Sequence, residues 1–280
     1  MSTRPGSGPA TSTAGPNGRY LVWEYLLRCW RRYLLSSLAE AVGTPLLYLL
    51  ALGVGLGSLI DSNLAGQAGS IPAGISYLDY IAPALLVAAA IQVGVGESSY
   101  PAYSRFKWTR VFWGITATPV RPGEVCDGEV LFIATRMLAG SSLYYLVLLA
   151  FGAAGGPAGL LMVPIGMLTG LSCAVWILAL GSRMRSDGGA FNVVLRFVIV
   201  PMTLFSGSFF PITEMPLAVR WVAWISPLWH GNELARGAAL GPDYLAGGTW
   251  AAAGHLTYLL VLLFAGLLAA RRSYRKRLVV

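Results

Sequence analysis

The positive charges of this chain fall into blocks that lie between long apolar stretches. All but three of its 20 Lys and Arg belong to an N-terminal segment, two internal loops or the C-terminal tail (4–32, 105–121, 183–196 and 271–277). Segments rich in Lys and Arg stay in the cytoplasm when a membrane protein inserts. The pattern therefore predicts an integral protein of the cytoplasmic (inner) membrane, with an even number of crossings and with both termini in the cytoplasm.

The composition excludes an ordinary soluble protein. Charged residues make up only 11% of the chain and hydrophobic residues 56%, whereas a soluble domain has about 25% charged residues. A net charge of +8 is compatible with nucleic acid binding. Because the cations flank apolar segments, they instead indicate contact with anionic lipid headgroups, and we expect membrane lipids but no nucleic acid as partners.

Six stretches are apolar and long enough to cross a bilayer, which takes about 20 residues in a helix. The uncharged run between Arg136 and Arg183 is too long for one crossing, and Gly and Pro at 155–157 break it into two. The sequence therefore predicts an all-α membrane protein with six spans, at approximately 41–60, 80–100, 130–152, 158–181, 190–208 and 250–270.

Segments on either side of these spans have a different character. Residues 1–18 are rich in Gly, Pro, Ser and Thr, which predicts a disordered cytoplasmic tail, and 273–280 form a basic cytoplasmic tail. Within the transmembrane domain, 19–272, the segment 19–37 begins as an amphipathic helix with Trp, Tyr and Arg. Such a helix suits the membrane–water interface, although it is also compatible with the start of a longer first span.

The connection between spans five and six is too apolar for an ordinary exposed loop. Three prolines, at 211, 216 and 227, divide it into short helical pieces. Irregular backbone at membrane depth needs protein or a watery cavity around it. We therefore expect an outer re-entrant helical hairpin that caps the spans.

No nucleotide-binding loop is present in the sequence. The motif G-x-x-x-x-G-K-[ST] requires a lysine, and neither lysine of the chain, Lys107 or Lys276, stands in such a context. We expect the chain to bind no cofactor and no metal itself, so that any ATP and Mg²⁺ would be bound by a second polypeptide. The glycines at 53, 55 and 57, and those at 166 and 170, lie inside spans, where small residues allow close helix packing.

Other candidate sites have ordinary explanations. His230 and Glu233 are three residues apart, as in some metal sites, but no third ligand is nearby; a nucleophile at Ser206 or Ser208 with His255 has no base spacing to support it. Charges at membrane depth are candidates for function. They are Glu97, Glu129, Arg136 and Arg196. Glu97 is the deepest and either lines a translocation path or braces a helix contact.

Several segments resemble the permeases of ABC-2 type transporters. ITATPVRPGEVCDGE (115–129) resembles their cytoplasmic loop, where a Thr-Pro turn follows the coupling helix, and 202–237 resembles their outer re-entrant hairpin. GTPLLYLLALGVGLGSLI (43–60) and SYLDYIAPALL (76–86) are similar to one branch, the nodulation lipooligosaccharide exporter permeases and related drug-resistance permeases.

The resemblance implies a non-catalytic permease subunit of an ATP-driven exporter. Its partners would be two copies of a separate ATPase subunit and a second permease subunit, a homodimer being favoured over a heterodimer. Its cargo would be amphipathic: a lipooligosaccharide, a glycolipid or a lipophilic drug. Residues carried over by position are, for coupling, Lys107, Trp108, Thr109, Arg110, Thr118 and Pro119, and, for the outer gate, Phe209, Phe210, Pro211, Trp224 and Pro227.

Two other function classes remain as alternatives. An intramembrane enzyme acting on lipids needs converging acids, a nucleophile with its base, or a metal cluster, and the sequence offers none of these. A proton-coupled carrier would favour intramembrane acids in paired repeats. The second half of the sequence does not repeat the pattern of 41–100.

Overall fold

The computed structural model describes residues 18–57, 75–185, 189–245 and 248–279, and within them every regular element is a helix. This confirms the all-α expectation for the described part of the chain. The predicted disordered tail lies outside it except for Gly18, and the end of the predicted first span lies outside it as well. The α-helices are α1 (Gly18–Trp30), α2 (Leu34–Tyr48), α3 (Tyr77–Ser98), α4 (Tyr100–Lys107), α5 (Val111–Thr116), α6 (Pro122–Ala150), α7 (Met162–Arg183), α8 (Gly189–Val194), α9 (Val200–Phe205), α10 (Leu217–Ile225), α11 (Pro227–Leu240) and α12 (Gly248–Leu278).

Four helical segments are long and apolar enough to cross a membrane: Tyr77–Lys107, Pro122–Ala150, Pro157–Arg183 and Trp250–Leu278. They correspond to the second, third, fourth and sixth predicted spans. A fifth is added if the bent pair Gly18–Ser37 and Ala39–Gly53, whose axes meet at 42°, counts as one span. The fifth predicted span corresponds to a shorter apolar helix, Gly189–Phe205.

The first bent pair is helical along its length, with a 3₁₀ turn at Arg31–Tyr33 and a π-helical stretch at Leu49–Leu56. Its first arm lies against α6, where Val22 and Leu26 are buried. The indole Nε1 of Trp23 donates to Thr135 Oγ1 at 3.0 Å. The amphipathic arm is therefore attached to the bundle on one face and exposes Leu21 and Tyr25 on the other.

Close packing of α3, α7 and α12 forms the centre of the bundle. A Cβ atom placed on Gly170 would lie 2.8 Å from the carbonyl oxygen of Ala90, and one on Gly94 would lie 3.2 Å from the carbonyl oxygen of Gly170. Small residues allow helices in membranes to approach closely. This contact confirms the predicted packing role of Gly170.

The bundle has two dissimilar ends, and α3 runs from one to the other. We call the end where α3 starts the hairpin end, because the helical pair α10–α11 lies there. At this end α11 packs against α3 and α7, and Leu228 joins the core around Tyr80. At the basic end, where α3 is followed by α4, a second core contains Phe106, Phe112 and Tyr274. The last helix continues through the basic tail as far as Leu278, so that the tail is part of the bundle.

Candidate functional site

Lys107 to Arg110 form an exposed connection between α4 and α5 at the basic end. The Trp108 side chain is 61% exposed. The backbone N–H and the hydroxyl of Thr109 both donate to the carbonyl oxygen of Ser104, at 2.9 and 3.3 Å. Arg110 has a left-handed backbone with φ of 51°, which turns the chain sharply. The structure thus presents these four predicted residues together on one small surface.

An aromatic cluster holds this connection in place from beneath. The ring of Phe106 lies 4.8 Å from that of Phe112 and 4.8 Å from that of Tyr274 on α12. The indole of Trp113 donates to the carbonyl oxygen of Phe106 at 3.1 Å, and the guanidinium of Arg277 lies 4.4 Å from the Phe106 ring centre. Edge-to-face aromatic pairs of this kind stabilise beyond the area that they bury, so the cluster joins α4 and α5 to α12.

The predicted turn at Thr118 and Pro119 closes the same segment. The hydroxyl of Thr118 donates to the carbonyl oxygen of Ile115 at 2.6 Å, which ends the short helix α5. The carboxylate of Glu124 then accepts from the backbone N–H of Arg121 at 2.8 Å and caps the start of α6.

Two ion pairs fasten this end of the bundle. Glu129 on α6 is fully buried and pairs with Arg105 on α4. Asp127, two residues earlier on α6, accepts two hydrogen bonds from Arg271 on α12, at 2.5 and 2.8 Å. A bidentate contact of this type fixes orientation as well as charge. From the sequence, Glu129 was identified as a charge at membrane depth and neither pair was predicted.

Glu97 borders a cavity of about 230 Å³ between α2, α3 and α6. Its carboxylate pairs with Arg136 at 2.8 Å. The same guanidinium donates to Ser37 at 2.8 Å and lies 5.0 Å from the ring centre of Trp30. Glu97 therefore borders a cavity and braces a contact between helices, while its place on a translocation path stays a prediction. Arg136 pairs with Glu97 and not with Glu129, and Arg196 lies exposed in a π-helical stretch.

The predicted gate residues lie along the segment that leads into α10 and α11. Pro211 precedes a 3₁₀ turn and Pro227 begins α11, while Phe209 packs partly against the core. Phe210 and Trp224 expose much of their side chains. Ser226 alone separates α10 from α11, so this part of the chain is a compact helical pair.

Arg236 is the buried centre of the hairpin end, with only 3% of its surface exposed. It donates to the carbonyl oxygens of Gly207, Ser208 and Tyr80, at 2.6, 3.3 and 3.3 Å. It also lies 3.9 Å from the Tyr80 ring centre and donates to the carboxylate of Glu233 at 3.4 Å. Gly207 has a positive φ of 68°, and this turn in the chain directs the Gly207 carbonyl oxygen toward Arg236. The sequence signal for this site was an arginine, Arg236, in a segment with few other charges.

Two histidines join the hairpin to the last helix. The Nε2 of His230 lies 3.0 Å from the carbonyl oxygen of Trp224, and its Nδ1 lies 2.7 Å from the Nδ1 of His255. Because a carbonyl only accepts, Nε2 carries the His230 proton, and His255 donates to the bare Nδ1. Burial lowers the pKa of His230 to about 4; the hydrogen bond to Trp224 opposes this shift and the neighbouring His255 adds to it.

The side chains considered for a metal site or for a nucleophile are engaged in other contacts. His230 is engaged with His255, and Glu233 with Arg236. Ser206 shares a hydrogen bond with Ser226 at 2.5 Å, so no nucleophile–histidine pair forms between Ser206 and His255. No group of three or more metal-ligating side chains occurs among the residues that the structure describes.

Comparison with known proteins places this architecture in a family. The model of the ABC-2 type transporter family matches residues 18–240. Similar proteins include nodulation protein J of Rhizobium leguminosarum bv. viciae, 28% identical over 238 residues, which cover 84% of this chain and 86% of the relative. Nodulation protein J of Bradyrhizobium diazoefficiens is 27% identical over 261 residues, covering 92% and 93%.

The matched region contains every predicted coupling and gate residue. Together with its apolar helices, the match identifies a multi-pass membrane protein of a transport system. The chain belongs to the ABC-2 type transporter family.

Proposed function

We propose that this chain is the permease subunit of an ATP-driven exporter and moves an amphipathic substrate outward across the cytoplasmic membrane. The substrate class is a lipooligosaccharide, a glycolipid or a lipophilic drug. Two copies of a separate ATPase subunit bind ATP and Mg²⁺ and supply the energy, and a second permease subunit, most simply an identical one, completes the transporter. Membership of the ABC-2 type family and similarity to nodulation protein J support this assignment.

The proposed topology has six crossings with both termini in the cytoplasm. Four helices of sufficient length, the bent first pair and the apolar segment Gly189–Phe205 supply the six. The basic end then faces the cytoplasm, in agreement with the distribution of Lys and Arg. The pair α10–α11 is the re-entrant hairpin on the outer side, where Phe209, Phe210, Pro211, Trp224 and Pro227 form the outer gate.

The exposed connection at Trp108 is the observation that carries the proposal. An indole that is 61% exposed beside Lys107, Thr109 and Arg110 is suited to insertion into a groove on a soluble partner, since aromatic and arginine side chains dominate binding energy at protein interfaces. The aromatic cluster beneath it transmits motion from this segment to α12. Thr118 and Pro119 set the direction in which the chain leaves the segment.

Glu97 belongs to the proposed path of the substrate. It lies between the first helices and α6 and is neutralised by Arg136, so the cavity beside it presents few net charges to an amphipathic molecule. ATP-driven closure of the ATPase pair would move α4 and α5, and the helices around this cavity would follow.

The test uses the full-length chain co-expressed with the ATP-binding-cassette subunits of its own genome and purified in lipid nanodiscs. The permease alone hydrolyses no ATP, and the assembled complex does. Trp108→Ala weakens ATPase binding by at least about 30-fold, the effect of losing a hot-spot aromatic side chain.

Trp250→Ala is the matched control, because Trp250 is even more exposed but lies at the opposite end of the bundle. It leaves ATPase binding unchanged. ATP hydrolysis by the isolated chain would contradict the proposal, and so would equal ATPase binding by the wild type and the Trp108 variant.

A further inference from the structure

A basic cavity of about 720 Å³ lies at the basic end of the bundle, apart from Glu97 and its surroundings. It is bounded by the ends of two membrane-crossing helices, α7 and α12, and by Trp113 of α5. Its cations are Arg183, Arg185, Arg272, Lys276 and Arg277, and no acidic side chain lines it in the part of the chain that the structure describes.

Two of these cations have structural roles. Arg277 donates to the carbonyl oxygens of Gly181, Ser182 and Met184, at 2.8, 3.1 and 2.8 Å, and so caps the end of α7. Arg183 donates to the hydroxyl of Ser273 at 2.9 Å. These contacts hold α7 and α12 together, and among the residues that the structure describes neither positive charge has a carboxylate as counterion.

The other three cations, Arg185, Arg272 and Lys276, are exposed. Within the described ranges they form no ion pair or side-chain hydrogen bond with the protein. Like charges gathered around one cavity repel each other, and an anion placed among them relieves that repulsion. Packing of the protein itself does not explain why all five should surround the same space.

The surface of α12 leads from this cavity toward the middle of the bundle. Val261, Phe264 and Leu268 are each more than half exposed and share one face of the helix, being three and four residues apart. Arg272 follows Leu268 by four residues, and Lys276 follows Arg272 by four more. An apolar stripe that ends in cations matches a lipid, with acyl chains along the stripe and a headgroup in the cavity.

We propose that this cavity binds the headgroup of an anionic lipid that carries two phosphate groups. Basic pockets between membrane helices on the cytoplasmic side suit such headgroups. A headgroup with two phosphates matches the three exposed cations better than a headgroup with one phosphate. The cavity is large enough for both phosphates. Because the stripe and the cavity lie along a membrane-crossing helix, they fit a lipid better than a soluble acidic protein.

The experiment titrates cardiolipin, which has two phosphates, and phosphatidylglycerol, which has one, into the detergent-solubilised full-length chain and counts bound lipids by native mass spectrometry. Cardiolipin binds more tightly than phosphatidylglycerol at matched total negative charge. The double variant Arg272→Gln, Lys276→Gln weakens cardiolipin binding about 30-fold, since each cation near an anionic surface contributes on the order of a five-fold factor.

Arg275→Gln is the matched control. Arg275 is an exposed arginine of the same helix but does not line the cavity, so its loss leaves cardiolipin binding within about two-fold of the wild type. Thermal unfolding in a neutral lipid nanodisc verifies that the double variant folds as the wild type does.

Three outcomes would overturn the proposal. Equal affinity for cardiolipin and phosphatidylglycerol would remove the two-phosphate assignment. Competition by inorganic pyrophosphate at the same concentration as the lipid would indicate a site for a soluble anion. Loss of a co-purified ATPase from the double variant, with cardiolipin binding unchanged, would assign the cavity to a protein partner instead.

Discussion

The two ends of the bundle manage their charges in different ways. At the basic end, guanidinium groups meet carboxylates on neighbouring helices, as in Arg105–Glu129 and Arg271–Asp127, and several further cations remain exposed. At the hairpin end, the single buried Arg236 is held mainly by backbone carbonyl oxygens and the ring of Tyr80. The first end has charge left over for partners, whereas the second uses its charge to hold its own fold.

The two ends also differ in how their helices are joined. Carbonyl oxygens at 207 and 208 and on α3 all converge on Arg236, so the start of the hairpin, α11 and α3 are joined at one point. At the basic end the ion pairs connect α4 to α6 and α6 to α12 separately, beside the aromatic cluster that joins α4, α5 and α12.

Replacing Arg236 should lower the free energy of unfolding more than the other substitutions proposed below. Arg236→Met leaves Glu233 and three carbonyl oxygens without their donor, and removing one partner of a buried charged pair costs about 3–5 kcal/mol. The measurement is the free energy of unfolding of the purified chain in mixed micelles.

Arg220→Met is the control for Arg236. Arg220 also donates to backbone carbonyls, including that of Met215 at 2.9 Å, but it is only partly buried, so the expected loss is about 1 kcal/mol. If both substitutions cost the same, the hairpin end has no buried centre of the kind described.

The two ion pairs of the basic end allow a comparison within one region. Glu129→Gln disrupts a fully buried pair and should lower the free energy of unfolding by about 3 kcal/mol. Asp127→Asn disrupts a pair whose arginine is 37% exposed, and the loss should stay below about 1 kcal/mol. Chemical denaturation of both variants beside the wild type gives the two values, and a larger loss for the Asp127 variant would contradict the ranking.

The histidine contact between the hairpin and the last helix should make stability depend on pH. The pKa of His230 lies near 4 in the folded protein against a usual value of 6.5, so the unfolded chain binds the additional proton between these values. Stability is therefore complete above pH 6.5 and decreases as the pH falls from 6.5 toward 4. Thermal unfolding across this range should show the decrease.

His230→Gln is the variant that sharpens the pH experiment. Its amide retains a donor for the carbonyl of Trp224 but does not titrate. The decrease between pH 6.5 and 4 should become shallower in this variant, and an unchanged slope would assign the pH dependence to other groups.

Several predictions from sequence rest on local patterns and agree with the structure. Apolar length identified four of the crossing helices, and glycine at 170 marked a close helix contact. Prolines 211 and 227 stand at the start of a turn and of α11. The predicted coupling residues Lys107 to Arg110 lie together at the junction of α4 and α5 because they are adjacent in the chain, and their role in coupling stays a prediction.

Contacts between distant residues could not be predicted in this way. Arg271 and Asp127 are separated by 144 positions, and Arg236 and Tyr80 by 156. Each of these arginines has other carboxylates and carbonyls nearer in sequence. Only the packing of α6, α11 and α12 against their neighbours selects the partner.

The sequence by itself determined that this is a helical membrane protein with a basic side. The length of an apolar stretch decides whether it can cross the bilayer, and the position of Lys and Arg decides which side stays in the cytoplasm; neither depends on a tertiary contact. The tertiary structure alone decided how each buried charge is neutralised. A charge in a low-dielectric interior is stable only with partners in the right place, and their position depends on how the whole bundle packs.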